Sequence, residues 1–193
     1  EQDLNTEIRS IVKLWGADFC GIADLTPAGN FISDQGGDGV ANYPFAVSVG
    51  IALSHAIVDQ MPNRSQRAVS VSYQNQYNVT NQRLDLIANH ISSLIQQQGF
   101  LAYPIPAAER SDDQRICAVF SHKLAAHLAG LGWIGKNCLL VTPEVGPRAR
   151  WVSILTDAPL QAAGKPVEDR CGDCRECVDI CPVSAFTGKA FKE

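Results

Sequence analysis

Apolar residues recur along this chain at helical intervals in some stretches and as near-continuous runs in others. Ile8, Ile11, Val12 and Trp15 share one helical face, so a helix is predicted over residues 7–15, with Thr6 as its N-cap and Gly16 as its stop. Asp18 to Ala23 reads as a short strand. Residues 26–44 contain Pro27, Gly29, Gly36, Gly37, Gly39 and Pro44 and predict a long loop. Phe45 to Leu53 is almost unbroken apolar and β-branched, the pattern of a buried strand. Residues 64–78 are polar and rich in Gln, Asn and Ser, and predict helix only in part. Asn81 to Gln98 gives the clearest helix, with Leu84, Ile87, Ile91, Leu94 and Ile95 on one stripe and Gly99 at its end.

Further on, Phe100 to Ile105 starts as a strand and is interrupted by Pro104. Ala107 to Gln114 is a polar loop, and Arg115 to Phe120 a strand. Ser121 caps a helix that runs through Leu124, Ala125 and Leu128 to Gly130. Asn137 to Val141 and Arg150 to Thr156 are further strands, and residues 157–170 form a linker of Pro, Gly and charged residues. Strands and helices alternate without a repeat, which predicts a sheet covered by helices, α/β or α+β in class. The expected division is a domain over residues 1–160 and a small Cys-rich module over 161–193.

Composition narrows the function. At 46% hydrophobic and 19% charged residues the 193-residue chain is globular and can bury a substantial core. Sixteen Lys and Arg against twenty Asp and Glu give a net charge of −4, a poor default for binding nucleic acid. No run of residues is apolar enough to span a bilayer, and Glu1-Gln2-Asp3-Leu4 does not read as a secretory signal, so a cytoplasmic location is expected. Both ends of the chain are expected to be cut.

Of the seven cysteines, four stand in Cys171-Gly172-Asp173-Cys174-Arg175-Glu176-Cys177-Val178-Asp179-Ile180-Cys181-Pro182. An odd count with this clustering is not a disulfide framework. The run is C-x2-C-x2-C-x3-C-P, the spacing that holds iron–sulfur clusters. Three thiolates at two-residue gaps wrap a tight loop around one cubane, and the fourth follows one helical turn on. Zinc sites usually draw on two separated C-x2-C knuckles, and no second knuckle is present. In proteins with two such clusters, the fourth Cys of the run serves the other cluster. Cys171, Cys174 and Cys177 are therefore expected to hold one [4Fe–4S] cluster, completed from elsewhere, and Cys181 to serve a second. Cys20, Cys117 and Cys138 lie singly in apolar surroundings and read as buried thiols.

Gly130-Leu131-Gly132-Trp133-Ile134-Gly135-Lys136-Asn137 matches both G-x-G-x-x-G and, apart from Asn137, a Walker A loop. Each of those motifs follows a strand and opens a helix, whereas here a helix leads in and a strand leads out. Two readings stay open. One is a helix C-cap followed by a Gly-rich turn. The other is a cofactor-facing loop, in which Gly130, Gly132 and Gly135 allow close approach, Trp133 offers a flat face and Lys136 a cation.

Taken with Ile154-Leu155-Thr156-Asp157-Ala158-Pro159-Leu160 and the Cys run, the Ala129 to Asn137 segment resembles epoxyqueuosine reductases and their relatives, the reductive dehalogenases. Gly16 to Ala23 and Tyr43 to Gly50 are similar to the first two strands of that superfamily. The resemblance implies a nitroreductase-like domain holding a corrinoid such as cobalamin, then a two-cluster ferredoxin-like module that passes electrons to the cobalt. It also implies a low-potential donor such as ferredoxin or flavodoxin. Where epoxyqueuosine reductases carry an acid in an Asp-Ser/Thr-x-Pro stretch, this sequence reads Ile116-Cys117-Ala118-Val119, with Asp112 and Asp113 the nearest carboxylates. The sequence thus looks like a short, divergent branch: an iron–sulfur oxidoreductase with its substrate unnamed or, in the competing reading, a non-catalytic electron-transfer or cluster-carrier protein. Ser121, His122 and Lys123 fall where the pocket wall is expected, and His122 or Lys123 could supply a proton. The competing reading is a solvated helix start. Arg148 and Arg150 could meet a phosphate or the Cys module, or form a solvated edge.

Overall fold

In chain order the elements are α1 (Leu4–Leu14), β1 (Phe19–Asp24), α2 (Gly29–Asp34), β2 (Phe45–Ala52), α3 (His55–Val58), α4 (Arg67–Gln97), β3 (Ala102–Ile105), α5 (His122–Leu128), β4 (Trp133–Ile134), β5 (Leu140–Val141), β6 (Ala149–Thr156) and α6 (Glu176–Asp179). The computed structural model describes residues 3–108 and 118–189. Four strands form one antiparallel sheet in the order β1-β2-β6-β3, and β4 and β5 form a separate two-stranded ribbon.

Alternation along the two central strands sorts the core into two layers. Val47, Val49 and Ile51 of β2 with Val152 and Ile154 of β6 face α1 and α4, where Ile8, Val12, Leu84, Ile87, Ile91 and Ile95 meet them. Ala46 and Leu155 point to the opposite side and pack with α5 and with Leu25, Ile32 and Phe120. Each fully buried Leu or Ile in these layers contributes on the order of 1.5–3 kcal/mol. Small residues let α5 lie close to the sheet: a Cβ added to Gly21 would stand 2.8 Å from the Ala129 Cβ.

The two long apolar runs form the central strands within a residue of the predicted bounds, and Gly16 and Gly99 follow their helices with φ of +65° and +88°. Several expectations need correction. The first helix begins at Leu4 with Asp3, not Thr6, as N-cap. The loop predicted over 26–44 contains a 3-10 turn at Thr26–Ala28 and α2, because Gly29 takes helical angles and Ile32 is buried beneath. Residues 67–97 are one continuous helix of 31 residues. No Gly or Pro interrupts its polar first half, which is held by a contact of Arg150 over the Tyr77 ring at 4.3 Å and by Gln76 Oε1 accepting from the Ser54 N–H at 2.9 Å.

Pro104 lies within β3 rather than ending it, since β3 is an edge strand and needs no donor on its open side. Of the strand predicted over Arg115 to Phe120, residues 115–117 lie outside the described residues, and Ala118 to Phe120 form none: Phe120 turns into the core just ahead of the Ser121 cap. The strand expected from Asn137 shrinks to β5 because Cys138, at φ +58°, closes a turn on the Gly135 carbonyl at 2.8 Å. Residues 157–170 carry no regular structure, as the linker reading expects. Among the described residues no helix is long and apolar enough to cross a membrane.

Gly50 lies opposite Trp151 in the β2–β6 register, and a Cβ there would fall 2.7 Å from the indole Cε3. Gly50→Ala is expected to lower stability by about 1–3 kcal/mol through overpacking. A drop in the urea midpoint at unchanged slope checks this, and an unshifted midpoint would show that the indole yields freely.

Candidate functional site

The start of β6, the start of α5 and β5 enclose a cleft of about 420 Å³. Its polar lining is Gln35, Ser121, His122, Lys123 and Arg150, and Phe120, Leu140 and Trp151 are among its apolar walls. Ser121 starts α5 as expected, its hydroxyl accepting from the Leu124 N–H at 3.4 Å, and this places His122 and Lys123 on the cleft wall. A carbonyl only accepts, so His122 Nε2 carries the ring proton and donates to the Pro106 carbonyl at 3.1 Å. Nδ1 then accepts from the Ser153 hydroxyl at 2.9 Å. Part of the ring surface faces the cleft, while protein crowds the remainder. That desolvation pulls the His122 pKa down to about 4, helped by the nearby Arg150 charge and opposed by the bond to Pro106. His122 is thus a neutral strut joining α5, β6 and the segment after β3, with both ring nitrogens engaged, rather than a ready proton donor.

The two arginines flanking the start of β6 are also anchored. Arg150 donates to Asn81 Oδ1 at 2.9 Å and to the Ala107 carbonyl at 2.8 Å. Arg148 pairs with Asp59 at 2.7 Å.

The glycine turn is packed against the chain itself. A Cβ on Gly130 would sit 2.7 Å from the Lys165 carbonyl oxygen, and one on Gly132 would strike the Val141 backbone, 3.0 Å from its carbonyl carbon. A Cβ on Gly135 would stand 3.5 Å from the Cys171 sulfur. Gly130, at φ +76°, closes α5 with its N–H on the His127 carbonyl. Trp133 lies in β4 with its indole N–H buried and without a partner, and the Arg170 guanidinium is 5.9 Å from the ring centroid. Lys136 reaches across to the Cys run: its Nζ donates to the carbonyls of Gly172 at 2.6 Å and Cys174 at 3.0 Å. On the other side of the same turn, Lys123 Nζ donates to the Cys138 carbonyl at 2.8 Å. Two motifs far apart in sequence therefore meet, and the turn between them borders the cleft through Leu139 and Leu140.

Within the run, the Cys174 N–H bonds the Cys171 carbonyl at 2.9 Å and Gly172 takes a φ of +48°, so the loop coils tightly ahead of α6. α6 ends at Asp179, so Cys181 lies past the helix rather than along it. Its sulfur accepts from the Ala185 N–H at 3.4 Å, and the amides of Ala185 and then Val183 lower its pKa. Among the described residues no three His, Cys, Asp or Glu side chains are grouped to hold a single metal ion. Cys20 is half-buried against the core rather than fully buried, with its pKa pushed up to about 11 by desolvation. Cys138 is exposed, contrary to expectation, because its left-handed backbone turns it outward from the ribbon. Cys117 lies outside the described residues, as do Asp112 and Asp113.

No protein-family profile matches the chain. Epoxyqueuosine reductase of Bacillus cereus is 43% identical over 66 residues, 34% of this chain and 17% of that protein. Epoxyqueuosine reductase of Staphylococcus aureus is 31% identical over 115 residues, covering 60% of this chain and 27% of its own length. Among solved structures, a catabolic reductive dehalogenase in complex with 3-bromo-4-hydroxybenzoic acid aligns over 96% of this chain and 26% of its own at TM-score 0.67 and 22% identity. Epoxyqueuosine reductase from Streptococcus thermophilus aligns over 97% of this chain and 54% of its own at TM-score 0.60 and 17% identity. The chain is thus similar in sequence to epoxyqueuosine reductases over part of its length, and it shares its fold with them and with a reductive dehalogenase. The aligned part is under a third of the length of these two curated relatives.

The His122 strut makes stability depend on pH. A histidine whose pKa falls from 6.5 unfolded to about 4 folded stabilises fully above pH 6.5, and that contribution is lost as pH falls toward 4. Between pH 7 and 4.5 the wild type is expected to lose about 2 kcal/mol more than His122→Gln. Urea unfolding of both proteins at the two pH values checks this, and equal losses would show that His122 titrates normally.

Proposed function

We propose that this chain is the α/β domain and first cluster-binding segment of an iron–sulfur oxidoreductase, with the Cys run as electron entry and the cleft beside β5 as the place of the electron acceptor. In this reading Cys171, Cys174 and Cys177 hold three corners of a [4Fe–4S] cluster, and Cys181 serves a second. The donor set fits in kind, since the run supplies four thiols at the spacing of cluster ligands. A mononuclear ion would need its ligands drawn into one tetrahedron, whereas a cubane places its irons at separate corners and accepts ligands standing further apart. Bound there, the cluster supplies single-electron transfer at low potential. An external low-potential donor, ferredoxin or flavodoxin in class, would deliver the electrons.

The observation that carries this reading is the double attachment of the Gly135–Cys138 turn. Lys136 fixes the turn to the Cys loop, and Lys123, from the cleft wall, fixes it to α5. The turn is thereby a short, rigid bridge between the run and the cleft. Gly130, Gly132 and Gly135 leave no room for a corrin against their backbone, since the chain's own atoms fill that space. The glycine turn therefore does not fit a corrinoid. The cleft volume lies in the range of small-molecule sites. His122, held neutral, and the anchored Arg150 give that cleft a fixed polar wall, which orients a guest rather than donating a proton to it.

Anaerobic reconstitution with iron and sulfide, with hydroxocobalamin in a parallel sample, tests the proposal. The wild type is expected to hold roughly four irons per chain, with an electron paramagnetic resonance signal after dithionite. Cys174→Ser is expected to lose most of that iron, and Cys20→Ser to keep it. Iron-free wild type, or a zinc atom retained in its place, would contradict the proposal. Stoichiometric corrinoid retention would show that the cofactor finds a seat away from the glycine turn.

A further inference from the structure

Resting on the reading of the Cys run as a cluster site, the geometry points to Lys136 as a positioning residue that also sets the reduction potential of the cluster: its ammonium is clasped by the Gly172 and Cys174 carbonyls, inside the loop that carries the ligands. Two observations carry this. First, the contacts are specific, at 2.6 and 3.0 Å, and they reach two of the four residues from Cys171 to Cys174 that turn the loop. Second, a Cβ on the neighbouring Gly135 would stand 3.5 Å from the Cys171 sulfur, ordinary contact distance. The backbone bearing Lys136 therefore runs beside a ligand atom. Lys123 steadies the far end of the same turn through the Cys138 carbonyl.

The consequence follows from charge. Reduction adds one electron to the cluster and makes it one unit more negative. A fixed cation close by favours that reduced form, and its loss makes reduction harder. The Lys136 ammonium thereby raises the potential. An uncharged donor of similar length could keep a hydrogen bond to the loop without this electrostatic effect. Structural and electrostatic roles are thereby separable.

The test is a dithionite titration, followed by electron paramagnetic resonance, of the anaerobically reconstituted wild type, Lys136→Gln, Lys136→Arg and Lys13→Gln, the last removing the same charge from α1. Lys136→Gln is expected to need a roughly tenfold larger reducing drive, a shift of about 59 mV to more negative potential for this one-electron couple. Lys136→Arg and Lys13→Gln are expected to stay near the wild type. If Lys136→Gln folds but fails to load, loading of Lys136→Arg at the wild-type potential supports the same role. A loaded Lys136→Gln with the wild-type potential would overturn the inference while leaving the cluster reading standing, as would folded Gln and Arg variants that both fail to load. An iron-free wild type would remove both.

Discussion

A single ammonium group, that of Lys136, held between the carbonyls of Gly172 and Cys174, joins the Cys-rich run to the body of this fold. Outside α6 the run has little regular structure of its own, and Ile180 and Val183 beside Cys181 are largely exposed. Its placement therefore depends on what it touches in the larger domain. The close approach of Gly135 to Cys171 and the stacking range of Arg170 over Trp133 reinforce the same junction. Everything proposed about electron entry rests on this junction being a fixed one.

The glycines of the turn explain why the junction can form. At Gly130 and Gly132 a side chain would collide with the backbone of Lys165 and Val141, so the backbone itself is the packing surface there. The linker is drawn in by the same device, since Gly164 lies against the Ala129 carbonyl at the end of α5. The sheet supplies the rigidity behind it: Trp151 fills the space above Gly50, and α5 lies over Gly21. A rigid sheet, a short helix and a turn without side chains together present a cation to the Cys loop from one side and border a cleft on the other.

Much of the fold was legible because burial is periodic. The runs at Phe45 and Arg150 and the stripe from Leu84 to Ile95 follow directly from which residues must leave water. The polar half of α4 was not legible, because its Gln, Asn and Ser residues carry no stripe, and tertiary contacts such as Arg150 on Tyr77 hold it instead. The Cys run was legible from spacing alone. What spacing could not give was the meeting of Lys136 with that run, since it depends on how the linker folds back over some thirty-five residues. His122 was visible as a residue of the cleft wall, but its neutrality arises from Pro106, Ser153 and Arg150, which only the fold brings together.

The most direct measurement is a crystal structure of the anaerobically reconstituted chain with an anomalous map at the iron edge. The account predicts an iron cluster bounded by Cys171, Cys174 and Cys177, with Lys136 still bonded to the carbonyls of Gly172 and Cys174. An iron site away from these thiolates, a single tetrahedral zinc among them, or a Cys loop detached from the glycine turn would contradict it.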